Sequence, residues 1–274
     1  MKQITIHVPR CYKNFVEYIT AAEDSLIKFG FDVDKLIYRR NSPPDDMLVK
    51  SDFVFYLADR SHKKHKDKIN VFIETDHKEL ELRKDFPIQY DEYTRSIHWF
   101  DYKENLQKKN IYYCPIGYHK TFDTDIKKQD LRDNLFIGRI TNPRECFLKN
   151  FKFVYNPGDI FGRKRDELII TSKININYRL IDDYWFTPLH AALILFKGKL
   201  LLQDEYNKDD YGWMKPYLIF FNDENFQDVY NYWLTHDKER REFEDYIYTE
   251  VKKHMFEDYF YKAVGDLLEQ YRRL

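Results

Sequence analysis

FGRKRDELIITSKININ, residues 161–177, is the stretch from which the fold can be read. Gly162 precedes a charged run that closes on Leu168, Ile169 and Ile170, and Ile174, Asn175, Ile176 and Asn177 then alternate apolar with amide. The pattern predicts a helix over 164–172 running straight into a strand over 174–177. A helix feeding a strand is half of a strand–helix–strand unit and calls for a strand before it. Such strands are expected at 134–139 and 151–155, with a helix at about 143–150 between them. Downstream, a helix at about 187–196 ends before Gly198, and strands at 199–203 and 218–221 follow. Helical sequence fills most of 225–274.

The first half repeats the alternation. A β-rich run at 4–8 leads into a helix over 11–29, closed by Gly30. A short strand is expected at 35–38. DFVFYLA (52–58) and INVFI (69–73) are continuous apolar runs, as in strands buried on both faces. A helical region at 91–97, a short strand at 98–100 and NIYYC (110–114) complete the half. Residues 119–132 are polar without clear period and read as a linker. The expected architecture is α/β: two Rossmann-like domains facing a cleft, with a helical C-terminus. The first domain spans 1–118, the linker 119–132 and the second domain 133–274.

With 274 residues, 43% apolar and 33% charged, the chain can bury a sizeable core under a solvated surface. Aromatic content is 18%, which supplies core volume and stacking faces. A net charge of −1 excludes binding of polyanions by bulk electrostatics, so any nucleic-acid contact needs a local basic patch. Cys11, Cys114 and Cys146 are too scattered for a zinc or redox motif and suit a reducing compartment. The start, MKQITIHVPR, is too short and polar for a signal peptide, and no apolar run is long enough to span a bilayer. A cytoplasmic location without membrane partners is the expectation, in a host cytoplasm if the chain is phage-encoded.

In open parallel sheets ligands gather at the carboxyl ends of the strands. Four stretches carry a more specific signal. HWFDYKENL (98–106), CPIGYHKTF (114–122), NLFIGR (134–139) and the block at 161–177 together resemble compact GT-B glycosyltransferases of bacteria and large viruses. They match a W-D-Y-S-x-x-N turn, a P-[IL]-G-Y crossing segment, a strand with its Gly turn, and a G-x-x-R-D-E-L-I-x-x-S-K-I-x-L-N block. The resemblance covers roughly residues 69–240. It implies a nucleotide-sugar donor, no cofactor and no bound metal. The family usually follows with E-x-x-R, where this chain has Thr187 and His190. Retaining relatives use that Glu on the donor, so its absence here points to an inverting displacement.

A departing diphosphate needs cations, helix N-termini or backbone N–H groups. Gly138 and Arg139 at a strand end, Arg163, Arg165 and Lys173 around the 164–172 helix, and Asn177 and Arg179 at the next strand end are the donor-binding candidates. His190 is a candidate replacement for the missing Arg, and Asp204 or Glu205 for holding the ribose hydroxyls. An inverting transfer needs a base from the first domain. Asp76 or Glu74 is the first choice, with His77 and Asp59 behind them; capping of the next helix is the plainer role for Asp76.

The loop 60–68 has five Lys or Arg and two His against one Asp. Arg60, Lys63, Lys64 and Lys66, with Arg39 and Arg40 beside Tyr38, could hold a phosphate backbone next to a stacked, extruded base. Double-stranded DNA carrying 5-hydroxymethylpyrimidines, as in phages that glycosylate their own DNA, is therefore the leading acceptor. A saccharide or surface glycan is the alternative, and the loop also reads as ordinary solvated surface. A reading of another class is a non-catalytic binding module with a decayed donor site.

Overall fold

The computed structural model describes residues 1–9, 15–38, 49–57, 67–74, 93–98, 110–158, 160–179, 186, 188–205 and 208–274; at 9, 38, 74, 98 and 208–210 the backbone alone is described. The chain divides into two compact units, one made of Met1–Ile116 with Phe256–Leu274 and the other of Gly117–Met255.

In the first unit, β1 (Gln3–Pro9), β2 (Asp32–Tyr38), β3 (Phe53–Leu57), β4 (Ile69–Glu74), β5 (Arg95–His98) and β6 (Ile111–Tyr113) form a parallel sheet in the order β2-β1-β3-β4-β5-β6. Every residue of β3 is buried, as its unbroken apolar run requires. Helix α1 (Val16–Lys28) ends as its sequence predicts. Gly30 takes φ 87°, its N–H donates to the Ile27 carbonyl, and the Phe31 N–H reaches back to Leu26. That pair of bonds is a Schellman stop, and the positive φ is why glycine stands there. Residues 95–98, which fall across the expected helix at 91–97 and strand at 98–100, form one strand instead. Ile97 is fully buried and the segment pairs in parallel with β4, so tertiary pairing overrides a weak helical pattern.

The last helix, α7 (Phe256–Arg273), belongs to this unit and not to the second domain in which sequence placed it. Phe256, Phe260, Val264, Leu267, Leu268 and Tyr271 form its buried stripe. Phe256 meets Tyr18 of α1 edge-on, Phe260 lies 5.7 Å from Phe55, and Tyr271 5.5 Å from Phe53. Arg95 ties the helix to β5 by donating to the Ala263 carbonyl at 2.7 Å and to both oxygens of Asp266.

In the second unit β7 (Arg132–Phe136), β8 (Ser172–Asn177), β9 (Leu201–Asp204) and β10 (Ile219–Phe221) pair in parallel, ordered β10-β9-β8-β7. Helices α2 (Asn142–Asn150), α3 (Gly162–Ile170) and α4 (Pro188–Leu195) connect them, and α5 (Phe226–Thr235) and α6 (Asp237–Glu250) follow. Phe136, Phe147, Ile174, Ile176, Leu202, Phe221 and Phe226 build a shared aromatic-rich core. The strand expected at 151–155 runs beside β7 without joining the sheet. One backbone bond, from the Phe136 N–H to the Tyr155 carbonyl, is joined by the Asn134 side chain: its amide donates to the Phe153 carbonyl and its oxygen accepts from the Tyr155 N–H.

The stretch expected to be a linker, 119–132, is built into the second unit. A 3-10 turn, Lys120–Phe122, buries Phe122 completely, 4.9 Å from Phe196. Lys197 donates to the Phe122 carbonyl, and Asp130 accepts from buried Arg240. Polarity alone therefore misread this stretch, which is fixed by the buried Phe122 and by the Asp130–Arg240 pair while most of its charged residues stay exposed.

Candidate functional site

All four strands of the second sheet point the same way, so their carboxyl ends share one edge. Helices that connect parallel strands return antiparallel to them, which brings the starts of α2, α3 and α4 to the same edge. A helix start exposes unsatisfied N–H groups and the positive end of the peptide dipoles. Neither α2 nor α3 is capped by a side chain. At the N-cap of α2 the Thr141 hydroxyl is buried and has no hydrogen-bond partner among the described residues.

Gly138 and Arg139 follow β7 after the single residue Ile137. Gly138 takes φ 143°, and a Cβ there would lie 2.8 Å from an Arg144 nitrogen, so glycine is required. The Arg139 side chain is exposed. Arg144, in the first turn of α2, is buried and threads between two strand ends. Its guanidinium donates to the carbonyls of Arg139 (3.0 Å), Tyr178 (2.9 and 3.0 Å) and Arg179 (3.2 Å), and it covers the Phe136 ring.

Beyond β8, Arg179 meets Asp204 at the end of β9 in a two-pronged ion pair, with Nε at 2.7 Å and Nη2 at 3.2 Å; its backbone N–H also donates to Asp204. The Asp204 side chain is 0% exposed. Burial holds this carboxyl above the ordinary range, opposed by Arg179. Asp223, just past β10, accepts from the Tyr178 hydroxyl at 2.7 Å. Its other oxygen lies 3.5 Å from Arg179. Asp204 is thus enclosed by its own partners and is not presented to a ribose; Glu205, the next residue, is half-buried. Asn177 is likewise turned inward, donating to Gln203 at 2.8 Å.

In the first turn of α3, Arg163 is exposed and pairs with Asp125 at 2.9 Å, whereas Arg165 is buried and grips Asp166. His190 stands in the first turn of α4. Desolvation, then the nearby charges of Arg144 and Arg165, pull its imidazole down to about 3, so it is neutral at physiological pH. The expectation for Lys173 is corrected. It is the second residue of β8, at the amino edge of the sheet, where it pairs with Asp133 at 3.1 Å. The helix ends three residues before it, so it faces away from the edge where the strands end.

In the first sheet the chain order reverses between β1 and β3, which makes their carboxyl ends the natural ligand crevice of that unit. Glu74 is the last residue of β4. Asp59, Asp76, His77, Arg39, Arg40, Arg60, Lys63, Lys64, Lys66 and Thr187 lie outside the described residues. Among the described residues no group of three or more His, Cys, Asp or Glu could hold a metal ion, and no helix is long and apolar enough to cross a membrane.

No family model matches the chain, and no curated protein matches it by sequence. Solved structures do match across nearly its whole length. An α-glucosyltransferase in complex with UDP and a 13-mer DNA containing a HMU base superposes with a TM-score of 0.69 at 12% identity, over 98% of this chain and 100% of that one. A glycosyltransferase involved in avilamycin A biosynthesis gives 0.61 at 11%, over 100% and 98%. A glycosyltransferase from Rickettsia africae gives 0.60 at 11%, over 99% and 98%. The chain has the GT-B glycosyltransferase fold. The second unit's strand-end edge, with the uncapped starts of α2 and α3 and five arginines, is the candidate ligand site. Sequence reasoning named Gly138, Arg139, Arg163, Arg165, Arg179 and His190 along this edge but passed over Arg144, which looks like any charged residue of a helix start. It also passed over Asp223, although the strand-end rule applied to 218–221 points there.

Proposed function

We propose that this protein is a glycosyltransferase that moves a sugar from a nucleoside-diphosphate donor to an acceptor hydroxyl. The observation that carries the reading is the second unit's carboxyl edge. There the Gly138 turn, exposed Arg139, Arg163, the neutral His190 and the uncapped starts of α2 and α3 come together in a GT-B fold. Backbone N–H groups and guanidinium groups take the charge that develops as the anomeric C–O bond to diphosphate breaks. No metal or cofactor enters this reading. Asp204 supports the site through Arg179, and Glu205 is the carboxylate assigned to the ribose.

In the inverting form of the reaction the acceptor oxygen attacks the anomeric carbon as the diphosphate leaves, and Asp76 or Glu74 takes the acceptor proton. The acceptor we favour is a hydroxymethylpyrimidine in DNA. The basic residues Arg39, Arg40, Arg60, Lys63, Lys64 and Lys66 support it, as does the DNA bound to a solved protein of this fold.

The test is a thermal-shift panel of nucleoside diphosphates and nucleotide-sugars, followed by transfer assays. A donor at 100 times its dissociation constant should add about 2.7 kcal/mol of stability. Absence of any shift refutes the donor site. Transfer to a free saccharide but not to hydroxymethylated DNA refutes the acceptor, and a product with the donor's anomeric configuration refutes inversion.

A further inference from the structure

We infer that Arg144 is a positioning residue for the donor, fastening the Gly138–Arg139 turn to the Tyr178–Arg179 turn and setting the edge on which His190 meets the diphosphate; this rests on the donor reading above. The geometry is specific. One guanidinium donates to three carbonyls from two different strand ends, those of Arg139, Tyr178 and Arg179. A planar fork with several fixed donors can do this, and an ammonium on a flexible stem cannot do it equally well.

The backbone is shaped to admit the side chain. Gly138 lies at φ 143°, and any Cβ there would fall 2.8 Å from Nη1 of Arg144. The carbonyls held by Arg144 are turned into the protein. The peptide N–H groups of the Gly138–Arg139 turn are the kind of donor a diphosphate needs, so tying down the Arg139 carbonyl restricts the directions those N–H groups can take. Arg179, on the second turn, is also held by Asp204. The second turn therefore has its own brace in Asp204, and Arg144 links the first turn to it.

Arg144 also acts on His190 through space. Desolvation is the larger cause that keeps the imidazole uncharged, and the charges of Arg144 and then Arg165 add to it. A neutral imidazole at a helix start donates one hydrogen bond without adding a titrating charge, so donor affinity is set by geometry across the physiological range.

Three variants test the inference: Arg144→Gln, Arg144→Lys, and Gly138→Ala, the last leaving Arg144 in place but pushing it aside. The first readout needs no ligand. Amide exchange at Gly138, Arg139 and Arg179 should quicken in Arg144→Gln and Gly138→Ala while the interiors of β7 and β8 stay protected. In Arg144→Gln the His190 imidazole should titrate at higher pH by NMR. The second readout is UDP affinity by calorimetry. It should fall by roughly tenfold or more in Arg144→Gln and Gly138→Ala, with partial recovery in Arg144→Lys. Wild-type protein that binds UDP, with Arg144→Gln binding equally well, overturns the positioning role alone. Uniform loss of protection through the unit also overturns it, since Arg144 would then be a general stabiliser. Wild-type protein that binds no nucleotide at all overturns the donor reading itself.

Discussion

Replacing Arg179 with Met tests the ion pair at the heart of the second unit's strand-end edge. The Asp204 carboxylate is fully buried and accepts from the Arg179 Nε, Nη2 and backbone N–H. The substitution keeps the aliphatic stem and removes two of those three donors. Breaking a buried pair from one side costs about 3–5 kcal/mol, because the remaining charge stays desolvated. Arg179 is one-fifth exposed, so water can partly replace it and the lower end, about 3 kcal/mol, is expected. At about 2–4 °C per kcal/mol this lowers the melting temperature by roughly 6–12 °C.

The pH dependence follows from the direction of the shift. Asp204 already has a folded-state pKa above its unfolded one, so the folded state binds more protons and stability falls as pH rises through that window. Without Arg179 the folded pKa climbs further and the window widens upward. The variant's deficit should therefore be larger at pH 8 than at pH 5. Adding Asp204→Asn should restore part of the loss, since no charge is then left buried. Thermal unfolding of the wild type, the single and the double variant at both pH values is the assay. A deficit under about 1 kcal/mol at pH 8, or a deficit equal at both pH values with a double variant no better than the single, would refute the reasoning.

His190 gives an opposite sign. Its folded pKa, about 3, lies below the ordinary histidine value, so stability is lost as pH falls from about 6.5 toward 3. A His190→Asn variant should show a flatter acid limb in the same unfolding assay, and an unchanged limb would mean that the imidazole is solvated. Phe260 tests where the last helix belongs: Phe260→Ala, at a fully buried site beside Phe55, should cost about 3–5 kcal/mol. Hydrogen exchange should place that loss in β1, β3 and α1, and a loss confined to residues of the second unit would contradict the packing.

Sequence pattern alone determined the alternation of strands and helices, the buried character of β3 and β4, and the glycine stop after α1. These depend on periodicity and on single-residue backbone preferences, both local properties. It also pointed to Gly138, Arg139, Arg163, Arg179 and His190, because residues just past strand ends and at helix starts are recognisable by position. What it left open needed partners far along the chain. Arg179 and Asp204 are 25 residues apart, and neither the bond between them nor the enclosure it imposes on Asp204 can be seen from spacing. Arg144 reads as a solvated helix charge until two strand ends are brought beside it. Lys173 lies at the opposite edge from Arg163 because α3 crosses from the carboxyl to the amino edge of the sheet before β8 begins at Ser172. Helix α7 joined the first unit because its apolar stripe, legible in sequence, finds aromatic partners on α1, on β3 and at Phe31. Amphipathicity specifies that a face must be covered; which surface covers it is decided by the shapes that the rest of the chain presents.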